Sequence, residues 1–246
     1  MSHDFPTPPA RPTGARRAAL AALPLALALP AALAAQDVGY TPEASPYREL
    51  VFRQEATVFG GWYAAGEDRV GVAPRSGPIA GLRYEVRIGG PASFYARTGL
   101  VRSERTVINP LNPAATRTVG DVSVNLLLAD VGLSMNLTGQ KSWHGLVPVL
   151  AGGLGIASDF EDADVGNYRF GTPFAVSVGA GVRWVPGGNL QLRVDLTDHL
   201  YQVKYTASYY SAPKGGGDPV LAPSEKQNAW KHNASLTVGG SYLFFR

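Results

Sequence analysis

Eight stretches of this 246-residue chain alternate apolar and polar residues with period two, and they are joined in turn by short and long connections. Period two gives a strand two unlike faces, so the chain must build a sheet whose sides meet different environments. An even number of such strands, joined in succession, closes most simply as an all-β, eight-stranded antiparallel up-and-down barrel.

Two hairpins allow the register to be written down. Around Gly89-Gly90-Pro91, residue numbers summing to 180 set Leu82 against Thr98, Tyr84 against Ala96 and Val86 against Phe94. The other face then pairs Arg83 with Arg97 and leaves Glu85 diagonal to Arg97, able to compensate both guanidinium groups. Around Pro186-Gly187-Gly188, a sum of 374 sets Trp184 against Leu190 and Val182 against Leu192. Its polar face carries Arg183, Arg193 and Asp195, with the last two opposite Gly181 and Gly179. Large polar residues facing glycines suit a narrow interior.

The first strand is expected over about 56–63, the fourth over about 122–137 with a bulge near Leu126, and the fifth over about 146–156. The last strand alternates from Ala234 to Phe244. Short connections fall at 89–91, 139–145 and 185–189, and long ones at 64–76, 103–120, 157–173 and roughly 206–231. That order puts the short turns in the periplasm and the long loops outside the cell.

Before the strands, Arg16 and Arg17 precede an apolar run from Ala18 to about Leu33, closed by small residues at 32–35, the build of a secretory signal. The expected division is a signal peptide over 1–35, a periplasmic N-terminal lead over 36–53 and the barrel over 54–246. Without residues 1–35 the chain keeps 19 basic and 18 acidic residues, dispersed, which points to neither nucleic acid nor a polybasic anchor. There is no Cys, so neither disulfides nor a lipidated cysteine is available. Past the signal no apolar run reaches 18 residues, so any membrane crossing is by strands.

These features together resemble the small outer-membrane barrels of the OmpA and OmpX type: a signal, eight alternating strands, alternating turns and loops, and the closing Gly240-Ser241-Tyr242-Leu243-Phe244-Phe245. The resemblance covers residues 54–246. Such barrels usually end on an aromatic residue read by the barrel-assembly machinery, whereas Arg246 follows Phe245 here. It implies the bacterial outer membrane, contact with lipid and lipopolysaccharide, an extracellular partner for the loops and a monomer.

Alternation by itself also fits a soluble lipocalin-like barrel with the apolar face inside. Aromatic placement favours the membrane: Phe94, Trp184, Tyr242 and Phe244 on the apolar face near the short turns, and Trp62 with Tyr201 near the loops, make two girdles. The polar face holds Arg, Asp, Gly, Ser and Thr in place of the Lys and Glu of a solvated exterior. Its charges, Arg83, Glu85, Arg87, Arg97, Arg183, Arg193 and Asp195, are expected to fill the lumen as an ion network.

Enzymes that remove or transfer acyl chains of outer-membrane lipids use this scaffold, so His199 and His232 matter, with Asp198 and Ser235 nearby. The local His-x-Ser pattern of those enzymes is missing, since Asn233-Ala234 follows His232. Asp159, Glu161, Asp162 and Asp164 fail the EF-hand spacing and read as a solvated acidic loop. The expected function is a non-enzymatic structural or surface-interaction barrel without cofactor or metal. The alternatives are a lipid-modifying enzyme and a narrow ion pore.

Overall fold

The computed structural model describes residues 45–214 and 216–244, so the signal-peptide reading and Arg246 lie outside the described residues. Its strands are β1 Tyr47–Glu49, β2 Gln54–Ala64, β3 Gly77–Gly89, β4 Ala92–Ile108, β5 Thr118–Asn136, β6 Lys141–Trp143, β7 Leu146–Ser158, β8 Phe174–Gly187, β9 Leu190–Lys204 and β10 Asn228–Phe244. Eight of them close an antiparallel barrel in the order β2, β3, β4, β5, β7, β8, β9, β10, with β10 returning to β2. The other two, β1 and β6, pair with each other at the short-turn end, Tyr47 opposite Trp143. No helix among the described residues is long and apolar enough to cross a membrane.

The Gly89–Pro91 hairpin has the register expected from the sequence, with Leu82 opposite Thr98 and Val86 opposite Phe94. The second hairpin is shifted by two residues: Trp184 faces Leu192, Val182 faces Val194 and Arg183 faces Arg193. The cause is a register irregularity between Trp184 and Gly187, which lets Gly187 pair with Leu190 across a two-residue connection. Gly187 and Gly188, at φ 131° and 73°, supply the positive φ that such a tight turn needs. Because the slip is two residues and the side-chain period is two, every residue keeps its face.

The change of pattern near Leu126 is not a bulge. β4 and β5 stay in register from Ala92 opposite Met135 to Val107 opposite Gly120, and the irregularity comes only at Val107 and Ile108. Val124, Leu126 and Leu128 point inward and are buried, so the interior itself turns apolar toward the loops. The strands also run into the expected loops: β4 and β5 leave only 109–117 between them, and β10 begins at Asn228.

Outward positions are apolar and exposed: Val58, Leu82, Leu133, Leu154, Val178 and Leu236 represent six strands. Along β5 and one residue past its end this face runs from Leu127 to Leu137, which at roughly 3.3 Å per residue and a tilt of about 40° covers on the order of 25 Å. Inward positions are polar through the middle of the barrel, the inverse of a soluble protein. Close approach there demands small residues; a Cβ on Gly153 would lie 2.4 Å from the Tyr95 hydroxyl, and one on Gly181 2.3 Å from Asp195 Oδ1.

Candidate functional site

Three levels occupy the lumen. The middle one is an ion network built by inward positions of β2, β3, β4, β5, β8 and β9. Glu85 lies at its centre, paired with Arg83 at 2.9 Å, Arg193 at 3.4 Å and Arg183, and it accepts a hydrogen bond from Ser134 at 2.6 Å. Glu55 takes Arg193 at 3.0 Å and Arg183 at 3.4 Å, and Asp195 takes Arg193 at 2.6 Å. Arg97 pairs with Asp130 at 2.7 Å rather than with Glu85, because β5 sets Asp130 directly opposite it. The four arginines Arg83, Arg97, Arg183 and Arg193 thus meet the four carboxylates Glu55, Glu85, Asp130 and Asp195. Charges removed from water are tolerable only in such compensated geometry. Arg83 also lies over the Tyr95 ring at 3.8 Å, a cation–π contact.

Arg87 stands apart from this network. It donates to the Leu50 carbonyl at 2.8 Å and lies 5.1 Å from the Phe52 ring. Leu50, Phe52, Val147, Val149 and Leu243 form a small apolar cluster that closes the short-turn mouth. The lead segment over 46–52 is therefore folded under the barrel, and Leu50 N donates to the Gln140 carbonyl at 2.9 Å.

The upper level is a larger apolar cluster. Phe59, Tyr63, Leu126, Leu128 and Val101 rise from the wall, and Val72, Tyr168, Phe170, Tyr209 and Leu221 come down from the loops. Tyr201 belongs here and not to the outer girdle. It shares the inward parity of Arg193, Thr197 and His199, is 1% exposed, and its hydroxyl meets that of Tyr63 at 2.6 Å. Trp62, Phe94, Trp184 and Tyr242 do project outward, and the Phe244 ring stacks 6.3 Å from Tyr242. Trp230 and Phe174 join that surface; Trp230 lies on β10, within the 206–231 stretch that the sequence predicts as a loop.

The loops are pinned to this cap. Arg105 pairs with Asp164 at 2.7 Å, and Asp164 Oδ1 accepts from Gly166 N and Tyr168 N. Asp68 accepts from Ala73 N at 2.8 Å and from the Tyr205 hydroxyl. Asp159 is buried, and burial pushes its carboxyl above the ordinary carboxylate range despite a hydrogen bond from Glu161 N. Two of the four acidic residues of this loop, Asp159 and Asp164, therefore hold the loop's own backbone, and no group of three metal-ligating side chains forms among the described residues.

The histidines divide between the two faces of the wall. His199 Nε2 lies 3.1 Å from Ser235 Oγ, both buried inside, whereas His232 Nδ1 lies 2.6 Å from Asp198 Oδ2 on the exposed outside. The barrel wall separates the hydroxyl and imidazole of one pair from the carboxylate of the other, so no Ser, His and Asp chain assembles.

Strand count, closure and a packed, charge-balanced interior define the class as a small, filled eight-stranded up-and-down barrel. No protein-family model matches the sequence, and no curated protein matches it. Among solved structures the chain is similar to Neisserial surface protein A, at a TM-score of 0.48 and 13% identity over 78% of this chain and 97% of that one. It is also similar to Ail, the attachment invasion locus protein of Yersinia pestis, at 0.37 and 12% over 78% and 99%. A major outer membrane protein from Thermus thermophilus aligns at 0.39 and 13% over 79% and 100%. These are likenesses of overall architecture; the class rests on the closure, register and lumen described above.

Proposed function

We propose that this protein is a bacterial outer-membrane barrel, exported by a cleaved signal peptide, that displays a structured extracellular cap and acts by surface interaction and envelope support rather than by catalysis or transport. One observation carries the reading: the lumen is occupied by a lower apolar plug, a charge-balanced ion network and an upper apolar cap. With the interior committed to packing, recognition is left to the four loops and the outer rim. The apolar exterior supports lipid as its surroundings, since an exposed belt of this extent would aggregate in water.

Cell fractionation with an unboiled gel tests it. A heat-modifiable band in the outer-membrane fraction, together with no measurable unitary conductance in planar bilayers, supports the proposal. A soluble periplasmic product would overturn it, and steady conductance would replace it with the pore reading. Unchanged lipid composition in a His199→Ala/His232→Ala variant would count further against an enzyme.

A further inference from the structure

The outer wall has a groove of about 410 Å³ at the upper edge of the apolar belt, where β2, β3, β4 and β5 meet the first loop. Its composition changes with height. One row across the wall runs Gly60, Ala80, Leu100, Leu127, so small residues lie beside larger apolar ones. In the next row Trp62 pairs with Pro78 and Arg102 with Asn125. Above these lie Arg75, Ser76, Glu104 and Ser123.

Trp62 is 55% exposed, and Arg102 is exposed without a carboxylate partner among the described residues. Arg75 is held in place by Asp121 at 3.2 Å. An aromatic face beside a mixture of guanidinium, amide, hydroxyl and carboxylate groups suits a phosphorylated sugar. The apolar row beneath suits an acyl chain.

We infer that this groove is a binding site for one phosphorylated glycolipid of the outer leaflet, with its sugar against Trp62, a phosphate on Arg102 and an acyl chain over Gly60 and Ala80. The inference rests on the outer-membrane reading, which sets this edge of the belt at the level of the lipid head groups. An amphiphile is the occupant that fits, because the surface turns from apolar to polar and charged within one row of the sheet. Arg102 supplies the unpaired cation that a phosphate complements.

The test is native mass spectrometry of the refolded full chain in micelles, with an acylated, bisphosphorylated glucosamine disaccharide as probe. Arg102→Gln and Trp62→Leu are compared with Lys204→Gln and Phe174→Leu, which alter an exposed cation on β9 and an exposed aromatic on β8, neither strand pairing with β2, β3, β4 or β5. Loss of one charge-assisted contact lowers glycolipid retention about tenfold in Arg102→Gln. The β8 and β9 variants retain it like the native chain, and phosphatidylglycerol is held more weakly. Equal retention by all variants, an equal fall in all of them, or equal retention of phosphatidylglycerol overturns the site. Each sample is first inserted into vesicles and checked for heat-modifiable migration. Failure of the native chain there counts against the barrel reading, while insertion without glycolipid preference counts against the groove alone.

Discussion

Glu85→Gln is the sharpest perturbation of the lumen. The side chain keeps its size and loses its charge, at a position 3% exposed and shared by Arg83, Arg183 and Arg193. Arg183 and Arg193 retain Glu55 and Asp195, but Arg83 is left buried with no carboxylate in contact among the described residues. Breaking a buried pair from one side costs about 3–5 kcal/mol, and the partial compensation of two of the three arginines places this case near about 3. The double variant Arg83→Gln/Glu85→Gln restores neutrality, since Arg183 and Arg193 still face Glu55 and Asp195. It should recover at least about 1.5 kcal/mol of the loss. Urea unfolding of the barrel in lipid vesicles, followed by Trp fluorescence and gel migration, reads both numbers. A Glu85→Gln cost below about 1 kcal/mol, or a double variant no more stable than Glu85→Gln, would refute the claim that charge balance holds this interior together.

Close packing in the lumen makes glycine substitutions directional: Gly153→Ala should destabilise by about 1–3 kcal/mol, whereas Gly240→Ala, whose Cβ meets nothing within 4 Å, should stay within about 0.5 kcal/mol by the same unfolding assay. Val58→Arg, on the middle of the outer belt, should cost about 2–4 kcal/mol in vesicles, and a neutral result would mean that the belt does not face hydrocarbon. Burial raises the Asp159 carboxyl above its unfolded value, so its favourable contribution is complete below the unfolded value of about 3.9 and is lost as pH rises through the folded one. Limited proteolysis of the 159–173 loop should therefore speed up between pH 3.5 and pH 7, and Asp159→Asn should abolish that increase; the same pH response in both proteins would sink the assignment.

Period-two alternation made the barrel legible because each strand separates lipid from a polar lumen over most of its length. It misled where that contrast fades. Near Leu126 the interior becomes apolar to receive Tyr168 and Phe170, so inward and outward residues look alike and a continuous strand reads as a slip. The parity of Thr197 and His199 places Tyr201 inside, although a Tyr near the loop end of a strand is also the residue type of a girdle. Pro186 hid the true turn, because the hairpin closes further on, across Gly188 and Asn189. Glu55 joins the network through Arg183 and Arg193, partners far away in sequence, and the long loop between β4 and β5 kept the register that sets Asp130 opposite Arg97 from being read. The folded lead over 46–52 had no periodic signal, being anchored only by Leu50, Phe52 and the short β1.

Because the chain has no Cys, single cysteines report position without background. Leu111→Cys in the second long loop, Gly90→Cys in a short turn and Leu236→Cys on the belt can each be treated in intact cells with a membrane-impermeant maleimide. The account predicts labelling of Leu111→Cys alone, with Gly90→Cys reacting only after the outer membrane is opened and Leu236→Cys only after denaturation. Equal labelling of all three in a soluble fraction, or surface labelling of Gly90→Cys in place of Leu111→Cys, would contradict it.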